Sequence, residues 1–307
     1  MGRYPFMEAA NRFLDSYFGV YSAAMYEELL RRYPKIQKQL ILLWEKGKVS
    51  TTDPHKLTPE DIKEYIVAQK ARGLKDTSIS HDLTAIKNLC LYVNGNYCVD
   101  TAKKQYPTLF MKKRYVRLPV IEKPEYDLIM QFINNISPNA PERMIRAAAI
   151  VGLSFGTGPR TVEILHAKVR YLDPELRFIF YDVVKGRTSY GEKRTVPIRP
   201  EVIPSLQLYL KTRTSDSEFL FPSRNGNPYV SQTFRVDKRM IEQGSGVAFD
   251  FRTARRTYAQ YLIDEGFPIE EVSIILGHSD TKTTERSYGR PRNDRVVRKV
   301  IDFWSQK

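Results

Sequence analysis

Two cysteines in 307 residues, Cys90 and Cys98, are too few for a disulfide framework or a metal knuckle, so two reduced thiols are expected. Histidine is nearly as scarce: four residues, with none of the paired spacing of a metal site. No metal and no cofactor are expected. No apolar run approaches the ~20 residues of a membrane span, and "AAAIVGL" at 147–153 reads as a buried segment. The opening residues, "MGRYPFMEAA", show no apolar signal core, and Phe6 stands where a myristoylation motif has Ser or Thr. A cytoplasmic protein is expected. There is no Gly-Lys phosphate loop and no G-x-S-x-G elbow. "GTGPRT" lacks the third glycine and the preceding strand of a dinucleotide fingerprint. Acids are also in deficit. Thirty-five against forty-nine basic residues leave a net charge of +14, which calls for a polyanionic partner, nucleic acid before membrane.

What is present is a chain long enough for two domains. Residues 1–100 read as a small helical bundle. "PFMEAANRFLDSYF" places Phe6, Ala10, Phe13 and Tyr17 at helical spacing. "SAAMYEELLRRYPKIQKQLILLWEKGK" reads as one long helix or two, with a break or kink at Pro34. "LTPEDIKEYIVAQKARG" opens on Thr58 as cap and Pro59 in the first turn, and stops at Gly73. In "DTSISHDLTAIKNLCLYV", Ile79, Leu83, Ile86, Cys90 and Val93 share one face. Residues 101–121 read as an extended basic linker. Its Lys103, Lys104, Lys112, Lys113, Arg114 and Arg117 are expected to run beside a DNA backbone. A second domain, 122–307, opens with helices. It switches to alternation across "RYLDPELRFIFYDVVKGRTSYGEKRTVPI", expected to be two or three antiparallel strands, and returns to helices after Pro200. The fold class is mainly α with a small antiparallel β-sheet, an α+β protein.

With the common sites struck off, the second domain offers arginines, a lysine, one histidine and one tyrosine. Cutting a phosphodiester without a metal needs such a set. Arginine forks neutralise the non-bridging oxygens. A nucleophile attacks phosphorus, and a donor protonates the departing sugar oxygen.

These residues resemble the tyrosine recombinases, the phage integrase family, over the whole second domain. The helical N-terminal block resembles the family's core-binding domain. "GTGPRTVEIL" is similar to the first-arginine motif, which assigns Arg160 as a catalytic arginine and Glu163 as its supporting acid. "VVKGRTSYGEKRTVPI" resembles the family's β-hairpin with its lysine at Lys185; Lys193 is a second choice. "FDFRTARRTYAQYLIDEGFPIEEVSIILGHSD" resembles the block with the second arginine, Arg255, followed by a Leu-Gly-His turn at His278. Tyr288 then falls at the nucleophile. Arg255 is expected to face inward and Arg256 outward, because adjacent residues do not share a helix face. The resemblance implies metal- and ATP-independent cutting and rejoining of DNA through a 3′-phosphotyrosyl intermediate.

Two departures stand out. Arg252 occupies the position three before the second arginine where the family usually has histidine; it cannot accept a proton and is expected to bind phosphate. The family's usual nucleophile spacing falls on Ser287, one residue before Tyr288. Three functions therefore stay open: a site-specific recombinase or integrase, a type IB topoisomerase-like enzyme, and a catalytically inactive DNA-binding relative. The expected partners are double-stranded DNA carrying a specific site and further copies of the chain, a tetramer on paired sites, in the nucleoid. The tail "GRPRNDRVVRKVIDFWSQK" carries an apolar stripe of Val296, Val297, Val300, Ile301 and Trp304 at helical spacing. It is expected to be a helix that folds home or docks on a neighbour.

Overall fold

The computed structural model describes residues 5–20, 22–110, 118–184, 192–278, 285, 297 and 301. The chain divides into two compact units, Met1–Arg114 and Tyr115–Lys307.

The first unit contains five helices among its described residues: α1 (Pro5–Ser16), α2 (Ala23–Glu45), α3 (Pro59–Ala71), α4 (Asp76–Asn94) and α5 (Cys98–Gln105). Pro34 lies inside α2, which continues through it. Tyr33, Ile36 and Leu40 on either side are fully buried in the bundle core, and tertiary packing of that stripe outweighs the hydrogen bond Pro34 cannot donate. The start of α3 is fixed as its sequence dictates. The Thr58 hydroxyl accepts from the Asp61 N–H, and the Asp61 carboxylate accepts from the Thr58 N–H at 2.8 Å. Along α4, Ile79, Leu83, Ile86 and Cys90 are buried.

One boundary differs from expectation. Lys103 and Lys104 are not in an extended linker: they lie on α5, whose Cys98, Val99 and Ala102 are buried. That apolar edge packs the helix onto α3 and α4 and leaves the two lysines exposed. Lys112, Lys113, Arg114 and Arg117 lie outside the described residues.

In the second unit, α6 (Lys123–Asn134) and α7 (Glu142–Thr157) come first. Every residue of α7 from Ala147 to Thr157 is buried, so this helix forms the axis of the core. The short α8 (Thr161–Leu165) follows, then β1 (Phe178–Tyr181) and β2 (Arg194–Pro197). The strands pair antiparallel, with Ile179 opposite Val196, and both side chains are fully buried against α7's core. The hairpin tip, with Lys185, lies outside the described residues. The helices α9 (Ile203–Thr212), α10 (Ser231–Ser245), α11 (Phe251–Asp264) and α12 (Ile269–Leu276) complete the unit. The unit is mainly α with a two-stranded antiparallel sheet among the described residues. Of the expected tail helix, Val297 and Ile301 are described; both are helical and about half exposed.

Candidate functional site

The site is built where α7 ends, α8 begins, β2 starts and α12 stops. Each of these boundaries has a local cause. Helix α7 closes on Gly158, which takes the left-handed conformation at φ +57°. A Cβ there would also sit 2.7 Å from the Tyr258 ring, so the bend needs glycine twice over. The chain then turns extended at Arg160 and enters α8, where Glu163 reaches back to the Arg160 N–H at 2.7 Å.

Glu163 is the centre of the cluster. Its side chain is fully buried. Its Oε1 accepts from the Arg160 guanidinium at 2.9 Å and from Arg194 at 3.1 Å. Its Oε2 accepts from the other arm of Arg194 at 2.8 Å. Arg255 lies 3.9 Å from the same oxygen. Burial alone would raise the Glu163 carboxyl pKa. The hydrogen bonds and charges of Arg194, with Arg255 and the Arg160 amide, hold it below the ordinary carboxylate value. It is therefore an anion that holds three guanidinium groups together.

The same arginines grip the end of α12. The Leu-Gly-His turn is a Schellman stop: Gly277 is left-handed at φ +65°, and the His278 N–H donates to Ser273 O at 3.0 Å. Three carbonyls at this helix end each accept from a different arginine. Arg194 Nε donates to Ile275 O at 2.7 Å, Arg255 to Leu276 O at 2.6 Å, and Arg160 to Gly277 O at 3.1 Å. Cations suit the negative end of a helix dipole. The chain beyond this clamp runs on to Tyr288, which lies outside the described residues with Ser287 and Arg290.

Arg255 is buried and also donates to Gly158 O at 2.7 Å, which joins the α7 bend to α11. Its second arm lies 3.0 Å from His278 Nε2. Arginine cannot accept a hydrogen bond, so the imidazole accepts here and carries its proton on Nδ1. Burial, then the charges of Arg255, Arg160 and Arg194, lower the His278 pKa to about 3, against the opposing pull of Glu163.

His278 is therefore expected to stay neutral from about pH 8 to about pH 5, against about 6.5 for an unperturbed histidine. NMR of its ring protons checks this, and a midpoint near 6.5 would contradict it. An unfolded chain takes up this proton first as pH falls. The contribution to stability is thus whole above about pH 6.5 and is lost progressively as pH falls towards 3.

Arg252 lies one turn before Arg255 on α11 and is exposed. Arg256 turns away and donates to Pro119 O at 2.7 Å and to Thr253 Oγ1. The structure thus brings together Arg160, Glu163, Arg255 and His278. Lys193 is exposed, and Lys185 and Tyr288 are outside the described residues. Arg194 is the member that sequence reasoning missed. Its signal was present: it occupies the same strand face as the buried Val196, two residues on.

The model of the phage integrase family matches residues 119–295. Tyrosine recombinase XerA of Pyrococcus furiosus is 26% identical over 232 residues, covering 74% of this chain and 75% of that protein. Tyrosine recombinase XerC of Neisseria meningitidis serogroup B is 26% identical over 286 residues, covering 89% of each. Among solved structures, the Tn1549 transposon integrase in complex with circular intermediate DNA superposes with a TM-score of 0.68 at 17% identity, over 95% of this chain and 98% of that one. A lambda integrase dimer bound to a core site superposes at 0.65 and 14% identity, over 94% and 96%. At these identities the superpositions speak for the fold.

Proposed function

The chain belongs to the phage integrase family, whose model covers more than half of it, and from that premise we propose that it cuts and rejoins DNA at a specific site through Tyr288. One observation carries the reading. Arg160, Arg255 and His278 converge on the end of α12, and a tyrosine follows ten residues after His278.

The Tyr288 hydroxyl attacks phosphorus and the 5′ oxygen leaves, so the DNA 3′ phosphate becomes bonded to tyrosine. The Arg160 side chain uses two of its five N–H donors on Glu163 and Gly277 among the described residues, and its remaining fork suits a non-bridging oxygen. Arg252, exposed one turn before Arg255, adds a second cation. His278, neutral and protonated on Nδ1, acts as a hydrogen-bond donor; with its pKa near 3 it is a poor base. The tyrosine proton then goes to a phosphate oxygen as charge builds there, and Lys185 protonates the leaving 5′ oxygen. Attack by a 5′ hydroxyl of another strand reverses the step and conserves the bond energy.

The first unit supplies a second basic surface. A cavity of about 590 Å³ between α2, α3 and α4 is lined by Arg31, Arg32, Lys35, Lys38 and Arg72, with Glu28 and Asp82 both paired to Arg32. Its charge suits a phosphate backbone, and duplex binding should weaken steeply with salt. The recombinases named above share this chain's family, and the Tn1549 and lambda integrase structures contain DNA. Assembly into a tetramer on paired sites follows the same reading.

The test is a nicked duplex carrying the DNA that flanks the gene, incubated with the protein in EDTA. A detergent-resistant protein–DNA species with the protein on the 3′ end is expected. Duplex binding without any covalent species would make the chain an inactive DNA-binding relative. Covalent attachment with relaxation by a monomer, and no exchange between two sites, would make it a topoisomerase-type enzyme.

A further inference from the structure

We propose that Arg194 is a positioning residue for strand cleavage: it occupies both oxygens of Glu163 and thereby keeps the Arg160 fork available to the scissile phosphate. The inference rests on the strand-transfer reading above and goes one step into it.

Arg194 opens β2, the strand that returns from the hairpin, yet its side chain is only 6% exposed. Three of its five N–H donors are spent on the protein. Two arms go to the two oxygens of Glu163, and Nε goes to Ile275 O. Its guanidinium lies 5.7 Å from the centre of the Tyr181 ring of β1. One side chain thus joins the sheet, α8 and the end of α12. The site is shaped for it: a Cβ on Gly277 would sit 2.7 Å from Arg194 Nη1.

The hydrogen-bond arithmetic at Glu163 gives the consequence. A carboxylate offers a guanidinium its best partner when both oxygens accept in parallel. Arg194 holds that bidentate place. Arg160 is left with a single side-chain bond, to Oε1, while Oε2 takes its backbone N–H. Without Arg194, Glu163 becomes free to draw the Arg160 guanidinium into a bidentate pair. That rotation turns the fork inward, and the loss of Arg194 Nε frees the Ile275 carbonyl at the base of the segment leading to Tyr288. A displacement of about 1 Å in a reacting constellation can cost ~10²-fold in rate.

A purely structural ion pair would behave differently, so the test separates binding from chemistry. Arg194→Ala, Arg194→Gln and Arg194→Lys are compared with the wild-type protein in single-turnover attachment to the nicked duplex across a DNA titration. The expected result is half-saturation within about twofold of wild type, and an attachment rate at saturation lower by ~10²-fold. Lysine keeps the charge but cannot span two oxygens, so Arg194→Lys should remain slow. Guanidinium ion at low millimolar concentration should restore part of the rate to Arg194→Ala. Attachment within about threefold of wild type in any folded Arg194 variant would overturn the proposal. Loss of DNA binding together with attachment in all three would assign Arg194 to folding alone and overturn it equally. The wild-type reaction run alongside keeps the two claims apart, since its failure would count against the strand-transfer reading itself.

Discussion

Replacing Glu163 with alanine is expected to lower the unfolding free energy by about 3–5 kcal/mol, the range for removing one partner from a buried ion pair. The side chain is fully buried, and Arg194 beside it is nearly so. Arg160 and Arg255 complete a ring of three guanidinium groups around this carboxylate. Take the anion away and Arg194 keeps only the Ile275 carbonyl among its named hydrogen-bond acceptors. Like charges then face one another in a poorly solvated space, where their repulsion exceeds that between surface ions. Denaturant unfolding of Glu163→Ala against wild type measures the loss. A difference below about 1 kcal/mol, the usual worth of a surface pair, would show that the cluster is more hydrated than its burial indicates.

The second large effect is on rate. Arg160→Ala and Arg255→Ala should each slow strand cleavage by ~10²-fold or more, since removing one preorganised donor to a developing anion costs about 3–4 kcal/mol. The two differ in their side effects. Arg160 is half-buried, with donors to spare, so its variant should fold and bind duplex DNA. Arg255 also holds Gly158 O and Leu276 O, so its variant should lose stability as well as rate. Single-turnover cleavage with a parallel melting curve separates the two, and near-normal cleavage by either variant would remove that arginine from the site.

Much of this molecule is legible before any coordinates. Thr58 and Pro59 mark the start of α3 because capping is local chemistry, settled within four residues. The bend at Gly158 and the turn at Gly277 are legible because left-handed positions select glycine. What fails is what depends on distant neighbours. Pro34 invites a break, but the burial of Tyr33, Ile36 and Leu40 is a property of the whole bundle. Lys103 and Lys104 look like part of a linker when the charge run is read by itself; Cys98, Val99 and Ala102 on the opposite edge make it a packed helix. The partner of Arg194 is hidden for a related reason. A charged residue at the start of a strand reads as solvated until the fold places Glu163 across from it, thirty-one residues earlier in sequence.

The most direct measurement is to map the residue that carries DNA. After reaction with the nicked duplex, nuclease and protease digestion leave a peptide bearing a nucleotide, and mass spectrometry locates it. The modified residue is expected to be Tyr288, and Tyr288→Phe, which removes only the hydroxyl, is expected to bind duplex DNA normally and form no covalent species. A nucleotide on Ser287 or any other residue, or an adduct that persists in Tyr288→Phe, would contradict the assignment of tyrosine chemistry to this site.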